Sequence, residues 1–155
     1  MEPLRNLPHS PQMDFIPILS HATIFTGIGL PEQKMLAEKC VIVNYKPEEI
    51  VIEQGEIGDR LYIIMKGTVA VSVKTQSMGW KRINTLGSGD VFGEIAILRN
   101  IPRTARISTL TACQFLTINA KDFLAVYQYF PPRARDNIQL VVAKRLQESG
   151  VHVRL

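Results

Sequence analysis

A glycine, a carboxylate and an arginine lie close together in one stretch of this 155-residue chain: Phe92-Gly93-Glu94-Ile95-Ala96-Ile97, then Pro102-Arg103-Thr104-Ala105. Each residue type answers a different part of a phosphate that carries a ribose. Gly93 lets the chain turn sharply, and a short helix starting at Glu94 directs its first, unbonded N–H groups outward as an anion site. Arg103 follows a turn at Asn100 to Pro102, and its planar fork can hold two phosphate oxygens at once, as a lysine ammonium cannot. Glu94 would repel that phosphate unless it had a donor to hold, and a sugar hydroxyl is such a donor. In a 3′,5′-cyclic nucleotide the other ribose oxygens are tied into the phosphate ring, so the 2′-OH is the one left for Glu94 to accept from. Sites built around a hydroxyl reject analogues lacking it by factors up to about 10⁴ to 10⁵.

The elements that must position these residues are mainly strands. From Val41 to Ile118 short runs of β-branched and aromatic residues alternate with glycine-containing turns. Val41 to Tyr45, Ile50 to Glu53, Leu61 to Met65, Thr68 to Lys74 and Cys113 to Ile118 are the clearest strands, and many short strands at this spacing favour a sandwich or barrel. Turns are expected at Lys46 to Glu49, Gln54 to Asp59, Lys66-Gly67, Met78-Gly79 and Gly87 to Asp90. Helices flank the core. Pro31 followed by Glu32 to Lys39 has its proline in the first turn, an acid near the start and a lysine near the end. Lys121 to Tyr127 forms a second helix, ended by Pro131-Pro132. Arg133 to Ser149 forms a terminal helix on which Ile138, Val141, Val142 and Leu146 recur at helical spacing.

Size and composition limit the reading. The length suits one domain with a hydrophobic core, here residues 14–155 behind a flexible N-terminal segment, 1–13, rich in proline and polar residues. With 46% hydrophobic and 21% charged residues the composition is that of a globular protein, and no apolar run approaches the roughly 20 residues of a membrane span. The N-terminus lacks the apolar stretch of a secretory signal, so a cytoplasmic protein without a membrane partner is expected. Cys40 and Cys113 are read as reduced, buried thiols. The net charge of +4 is scattered among acids rather than gathered in a run, which argues against nucleic-acid binding by the chain itself.

Phe92-Gly93-Glu94-x-Ala96-Ile97, five intervening residues, then Arg103-Thr104-Ala105-x-Ile107 resembles the phosphate-binding cassette of cyclic-nucleotide-binding domains, as found in catabolite-activator regulators, kinase regulatory subunits and cyclic-nucleotide-gated channels. Upstream, Gly55-x-x-Gly58-Asp59-x-Leu61-Tyr62-Ile63-Ile64-x-x-Gly67-x-Val69 is similar to that family's second signature. The resemblance runs from about Ile24 through the terminal helix. It implies a mainly β fold with flanking helices: a jelly-roll barrel with N-terminal helices and a C-terminal lid helix. It implies a ligand, cyclic AMP favoured and cyclic GMP admitted, rather than a cofactor. Phe92, Gly93, Glu94, Ile95, Ala96, Arg103, Thr104 and Ala105 would surround it. Glu94 would take the 2′-OH, the Ala96 backbone a phosphate oxygen and Arg103 the phosphate charge, while Thr104 leaves cyclic GMP open. Val71 and Ile83 are candidate base contacts, and Arg145 and Ser149 lie on the part of the terminal helix that would close over the base.

Other residues receive plainer readings. Gly55, Gly58 and Gly67 are taken as turn formers, Arg99 and Arg106 as solvated surface residues, and Trp80 is given no function. An enzyme is not expected. A metal-dependent jelly-roll enzyme needs clustered ligands, whereas His9, His21 and His152 fall outside the β core and apart from one another, and no nucleophile stands in an activating motif. The helix-turn-helix of catabolite activators would have only Gly150 to Leu155 to occupy. The expectation is therefore a sensor that moves its terminal helix to act on an effector protein, with a homodimer through that helix left open. The alternatives are a non-binding jelly-roll interaction domain, or the sensor fragment of a longer channel, kinase or transcription regulator.

Overall fold

The structure is a computed structural model that describes residues 11–150. The flexible segment expected at 1–13 lies largely outside those residues, as do His9, His152 and the end of the 14–155 domain. Chain order is a 3₁₀ turn (Pro11–Asp14), α1 (Phe15–His21), a second 3₁₀ turn (Thr23–Phe25), α2 (Leu30–Lys39), β1 (Val41–Tyr45), β2 (Ile50–Ile52), β3 (Arg60–Lys66) and β4 (Val69–Thr75). Then follow β5 (Gly79–Leu86), β6 (Val91–Phe92), α3 (Glu94–Arg99), β7 (Arg106–Thr109), β8 (Cys113–Asn119), α4 (Ala120–Tyr127) and α5 (Pro132–Ser149).

The strands form two antiparallel four-stranded sheets, ordered β1-β8-β3-β6 and β2-β7-β4-β5. Alternation along the strands explains the layers, since neighbouring side chains face opposite ways. On β3 and β8, Tyr62, Ile64 and Phe115 face the second sheet and meet Val69, Phe92 and Ile107 in one core. Leu61, Ile63, Leu116 and Ile118 face outward and are covered by Leu19, Leu36, Phe123 and Ile138 of the helices. The order is helices, sheet, sheet, the mainly β arrangement with flanking helices read from the sequence. The barrel is open, however: the two sheets are separate, and β2 and β6, with three and two residues, are too short to stitch the edges together. Helix α3 packs against β3 and α5, and the site lies beside it.

Helix α1 precedes the region the sequence marked as helical. Pro17 sits within its first turn, where the missing N–H costs nothing, and Phe15 and Leu19 anchor it in the helical core. Helices α2, α4 and α5 each begin one residue before the position read from sequence. Asn119 caps α4 by accepting the Asp122 N–H at 2.8 Å, and Pro132 opens α5 at a position where proline fits.

Candidate functional site

Strand β6 pairs with β3, Phe92 beside Tyr62, and delivers the chain to Gly93. That residue has φ of 90° and starts α3. A side chain is excluded there twice over: the left-handed backbone disfavours it, and a Cβ would lie 2.9 Å from the Arg60 carbonyl oxygen and 3.0 Å from Arg103 Nη1. The N–H groups of Glu94, Ile95 and Ala96 form the first turn of α3 and have no intrahelical acceptor. Asn100, with φ of 52°, ends the helix and turns the chain toward Arg103.

Arg103 is 7% exposed and held from several sides. Its Nη1 donates to the Gly93 carbonyl at 2.7 Å and its Nη2 to the Arg60 carbonyl at 2.7 Å. Its own N–H donates to the Glu56 carbonyl at 2.7 Å, and its carbonyl accepts the Gly55 N–H at 2.8 Å. The upstream glycine loop is thus the cradle of the arginine. Gly58 lacks a positive φ, so the turn-former reading misses its role: a Cβ there would lie 2.6 Å from Ala96 Cβ and 2.8 Å from Arg103 Cζ. Of the five N–H donors of a guanidinium, two are spent on carbonyls and three remain. Burial pulls the Arg103 pKa below its ordinary value, opposed by Tyr62, Asp59, Glu94 and Glu56. An arginine keeps its charge under such a shift, so the cleft holds a fixed cation.

Glu94 is 1% exposed. A buried carboxylate needs a partner, and it has one from α5: Arg145 Nη1 donates to Glu94 Oε1 and, at 2.6 Å, to the Val91 carbonyl. A second link joins α3 to the helices. Arg99 donates to Gln139 at 3.2 Å, and Gln139 to the Tyr127 hydroxyl at 3.0 Å. Arg99 is therefore engaged with α5 rather than simply solvated. Arg106 is likewise engaged, with bonds of 2.9 and 3.0 Å to the two oxygens of Glu53 and its guanidinium 3.6 Å above the Trp80 ring. The Arg106 hydrogen bond and charge pull the Glu53 pKa below the usual carboxylate range. Trp80 thereby ties β5 to β7.

Glu94, Arg103 and Arg145 open on one cleft that is partly open to solvent. All twelve residues singled out from the sequence line it: Phe92, Gly93, Glu94, Ile95, Ala96, Arg103, Thr104, Ala105, Val71, Ile83, Arg145 and Ser149. Ile52, Asn84, Leu86, Ile107 and Glu148 line it as well and were not foreseen as site residues. Cross-strand register was the available signal for Ile52 and Ile107, whose places follow once β2, β7 and β4 are paired. The Thr104 hydroxyl has no hydrogen-bond partner among the described residues, whereas that of Ser149 donates to the Leu146 carbonyl at 2.8 Å. Among the described residues no group of three or more His, Cys, Asp or Glu is placed to hold a metal ion, and no helix is long and apolar enough to cross a membrane.

Comparison with known proteins agrees with this geometry. The family model of the cyclic nucleotide-binding domain matches residues 42–130. Over 133 residues the chain is 29% identical to a CRP-like cAMP-activated global transcriptional regulator of Mycobacterium tuberculosis, covering 86% of the chain and 59% of the regulator. It is 31% identical to a cAMP-dependent protein kinase regulatory subunit of Yarrowia lipolytica, covering 68% of the chain and 27% of the subunit. Among solved structures it is similar to cAMP-bound PfPKA-R, with a TM-score of 0.75 and 30% identity over 92% of the chain and 48% of the other. The chain thus spans only part of the length of each relative.

Proposed function

The chain belongs to the cyclic nucleotide-binding domain family, and from that premise we propose that it binds a 3′,5′-cyclic nucleotide in the cleft and reports occupancy through α5. The phosphate lies against the three remaining N–H groups of Arg103 and the open first turn of α3. The ribose 2′-OH donates to Glu94, and the base lies along the apolar sheet wall of Ile52, Ile107 and Val71. Cyclic AMP is the favoured ligand, in line with the cAMP-bound relative; the unpartnered hydroxyl of Thr104 keeps cyclic GMP admissible. The observation that carries the reading is the pairing of a buried carboxylate and a buried guanidinium on one cleft, an arrangement that packing alone does not require.

The signal passes through Arg145. A ligand that engages Glu94 alters the partner of Arg145, and so favours one position of α5 over another, which is what a ligand-driven shift requires. The module is regulatory rather than catalytic and cytoplasmic, and its output falls on an effector protein. The outer face of α5, where Leu140 is 71% exposed, is the surface a second copy or an effector would use. Isothermal titration of the purified chain with cyclic AMP and cyclic GMP tests the binding. Saturable one-site binding is expected, and an absence of heat together with no displacement of a fluorescent cyclic nucleotide refutes it.

A further inference from the structure

One wall of the cleft is a single row of cross-strand neighbours. Register places Ile52 beside Ile107, Ile107 beside Val71 and Val71 beside Asn84, and all four line the cleft. Three are apolar; the fourth, Asn84 on the outer strand β5, is not. Two strand spacings, about 10 Å, separate Asn84 from Ile107, the second residue of β7 after the Arg103 to Ala105 segment. A nucleotide spans a similar distance from its phosphate to the far edge of its base.

The residue before Asn84 ought to face the opposite side of the sheet. The register shift between Val71 and Ser72 skips Ile83, so a β-bulge turns Ile83 into the cleft beside Asn84. The result is an apolar surface with one carboxamide at its end. That carboxamide is oriented: its Oδ1 accepts the Thr85 N–H at 2.8 Å. The bond uses one of the two lone pairs of Oδ1, leaving the other, and both Nδ2 hydrogens have no partner among the described residues.

We propose that Asn84 sets the base preference of the cleft by reading the edge of an adenine, Nδ2 donating to a ring nitrogen and Oδ1 accepting from the 6-amino group. The inference rests on the nucleotide binding proposed above. A carboxamide matches the adjacent amino donor and N7 acceptor of adenine, whereas guanine presents two acceptors, O6 and N7, along the same edge. Rotating the carboxamide to suit guanine would break its bond to the Thr85 N–H. Ile83, Val71 and Ile107 offer no competing polar atom on this wall.

The test is isothermal titration of the wild-type chain and Asn84→Ala with cyclic AMP, cyclic GMP and the analogue lacking any 6-substituent, purine riboside 3′,5′-cyclic phosphate. The wild-type chain is expected to bind cyclic AMP about fivefold more tightly than the analogue, the worth of one net hydrogen bond. Asn84→Ala brings the two within about twofold, and it weakens the analogue as well, by about fivefold, because the analogue keeps the ring nitrogen to which Nδ2 donates. A wild-type chain that binds both equally, or an Asn84→Ala chain that keeps the full ratio, overturns the role of Asn84 and leaves nucleotide binding standing. Failure of all three nucleotides to bind the wild-type chain overturns both. Asn84 is exposed, so the substitution leaves the core intact, and the wild-type ratio needs no variant at all.

Discussion

Arg145 of α5 and Glu94 of α3 form an ion pair across 51 residues of sequence, with the carboxylate side chain 2% exposed and the arginine side chain 23% exposed. The same guanidinium nitrogen holds the Val91 carbonyl at 2.6 Å, just before the turn at Gly93. The terminal helix is thereby fastened to both ends of the turn that frames the cleft. Glu94 is thus already partly satisfied in the protein, which changes how strongly it can discriminate among ligands.

A hydroxyl-reading site rejects the deoxy analogue by up to about 10⁴- to 10⁵-fold when the loss leaves a buried group unpaired. Here Arg145 remains as a partner for Glu94, so the penalty shrinks to that of one hydrogen bond to a charged group, about 1.5–3 kcal/mol. The wild-type chain should therefore bind 2′-deoxy cyclic AMP roughly 10- to 100-fold more weakly than cyclic AMP. Glu94→Ala should bind the two alike. Competition titrations of both ligands against both proteins measure this, and a Glu94→Ala chain that still prefers the ribose form would mean that another group reads the 2′-OH.

Removing Arg145 strands a buried carboxylate. Breaking a fully buried pair costs about 3–5 kcal/mol, and the partial exposure of Arg145 reduces this to about 1–3 kcal/mol. For a domain of this size that corresponds to a fall in Tm of about 2–10 °C. Arg145→Ala should show it in a thermal melt, and Glu94→Gln in the Arg145→Ala background should restore part of the loss, because the stranded charge is gone. A double variant no more stable than Arg145→Ala would place the cost in lost α5 packing instead.

Much of this architecture could be read from residue pattern, for reasons particular to each part. The nearly unbroken apolar and aromatic runs of β3 and β8 reflect two buried faces, and α2 and α5 announce themselves by proline position and apolar spacing. Gly93, Glu94 and Arg103 were legible because they are close in sequence and chemically unlike their surroundings. What stayed hidden depends on distant contacts or on broken parity. The bulge at Ile83 upsets the two-residue alternation that would have placed Asn84. The role of Gly58 becomes visible only when Ala96 and Arg103 return to it in space. The partner of Glu94 lies on an element whose approach no local pattern encodes.

Gly58 makes a sharp probe of how Arg103 is placed. The arginine is pinned by the Gly93 and Arg60 carbonyls, so it cannot move aside for a Cβ that would sit 2.8 Å from its Cζ. Overpacking of this kind costs about 1–3 kcal/mol, and the strain falls on the guanidinium proposed to meet the phosphate. Gly58→Ala should weaken cyclic AMP binding about tenfold or more, comparable with Arg103→Lys, whereas Lys74→Ala, on the exposed surface, should leave it unchanged. Titration of the three variants decides it. Equal losses in all three would detach the effect from the Arg103 cradle.

Cys40 supplies a pH signature of the fold. It is 5% exposed, and burial pushes its thiol up from 9.0 to about 12, because a thiolate is poorly solvated in an apolar interior. Between those values the unfolded chain releases the proton while the folded chain keeps it. The unfolded state then binds fewer protons, so stability falls as pH rises, by up to about 1.4 kcal/mol per pH unit from this one group. Below pH 9 the thiol is protonated in both states and contributes no slope. Urea unfolding of the wild-type chain and Cys40→Ala at pH 7, 9 and 10.5 isolates the effect. The variant should be less stable at pH 7, having lost buried volume, and the gap should narrow above pH 9. A gap that stays constant to pH 10.5 would mean that the folded chain ionises Cys40 as readily as the unfolded one.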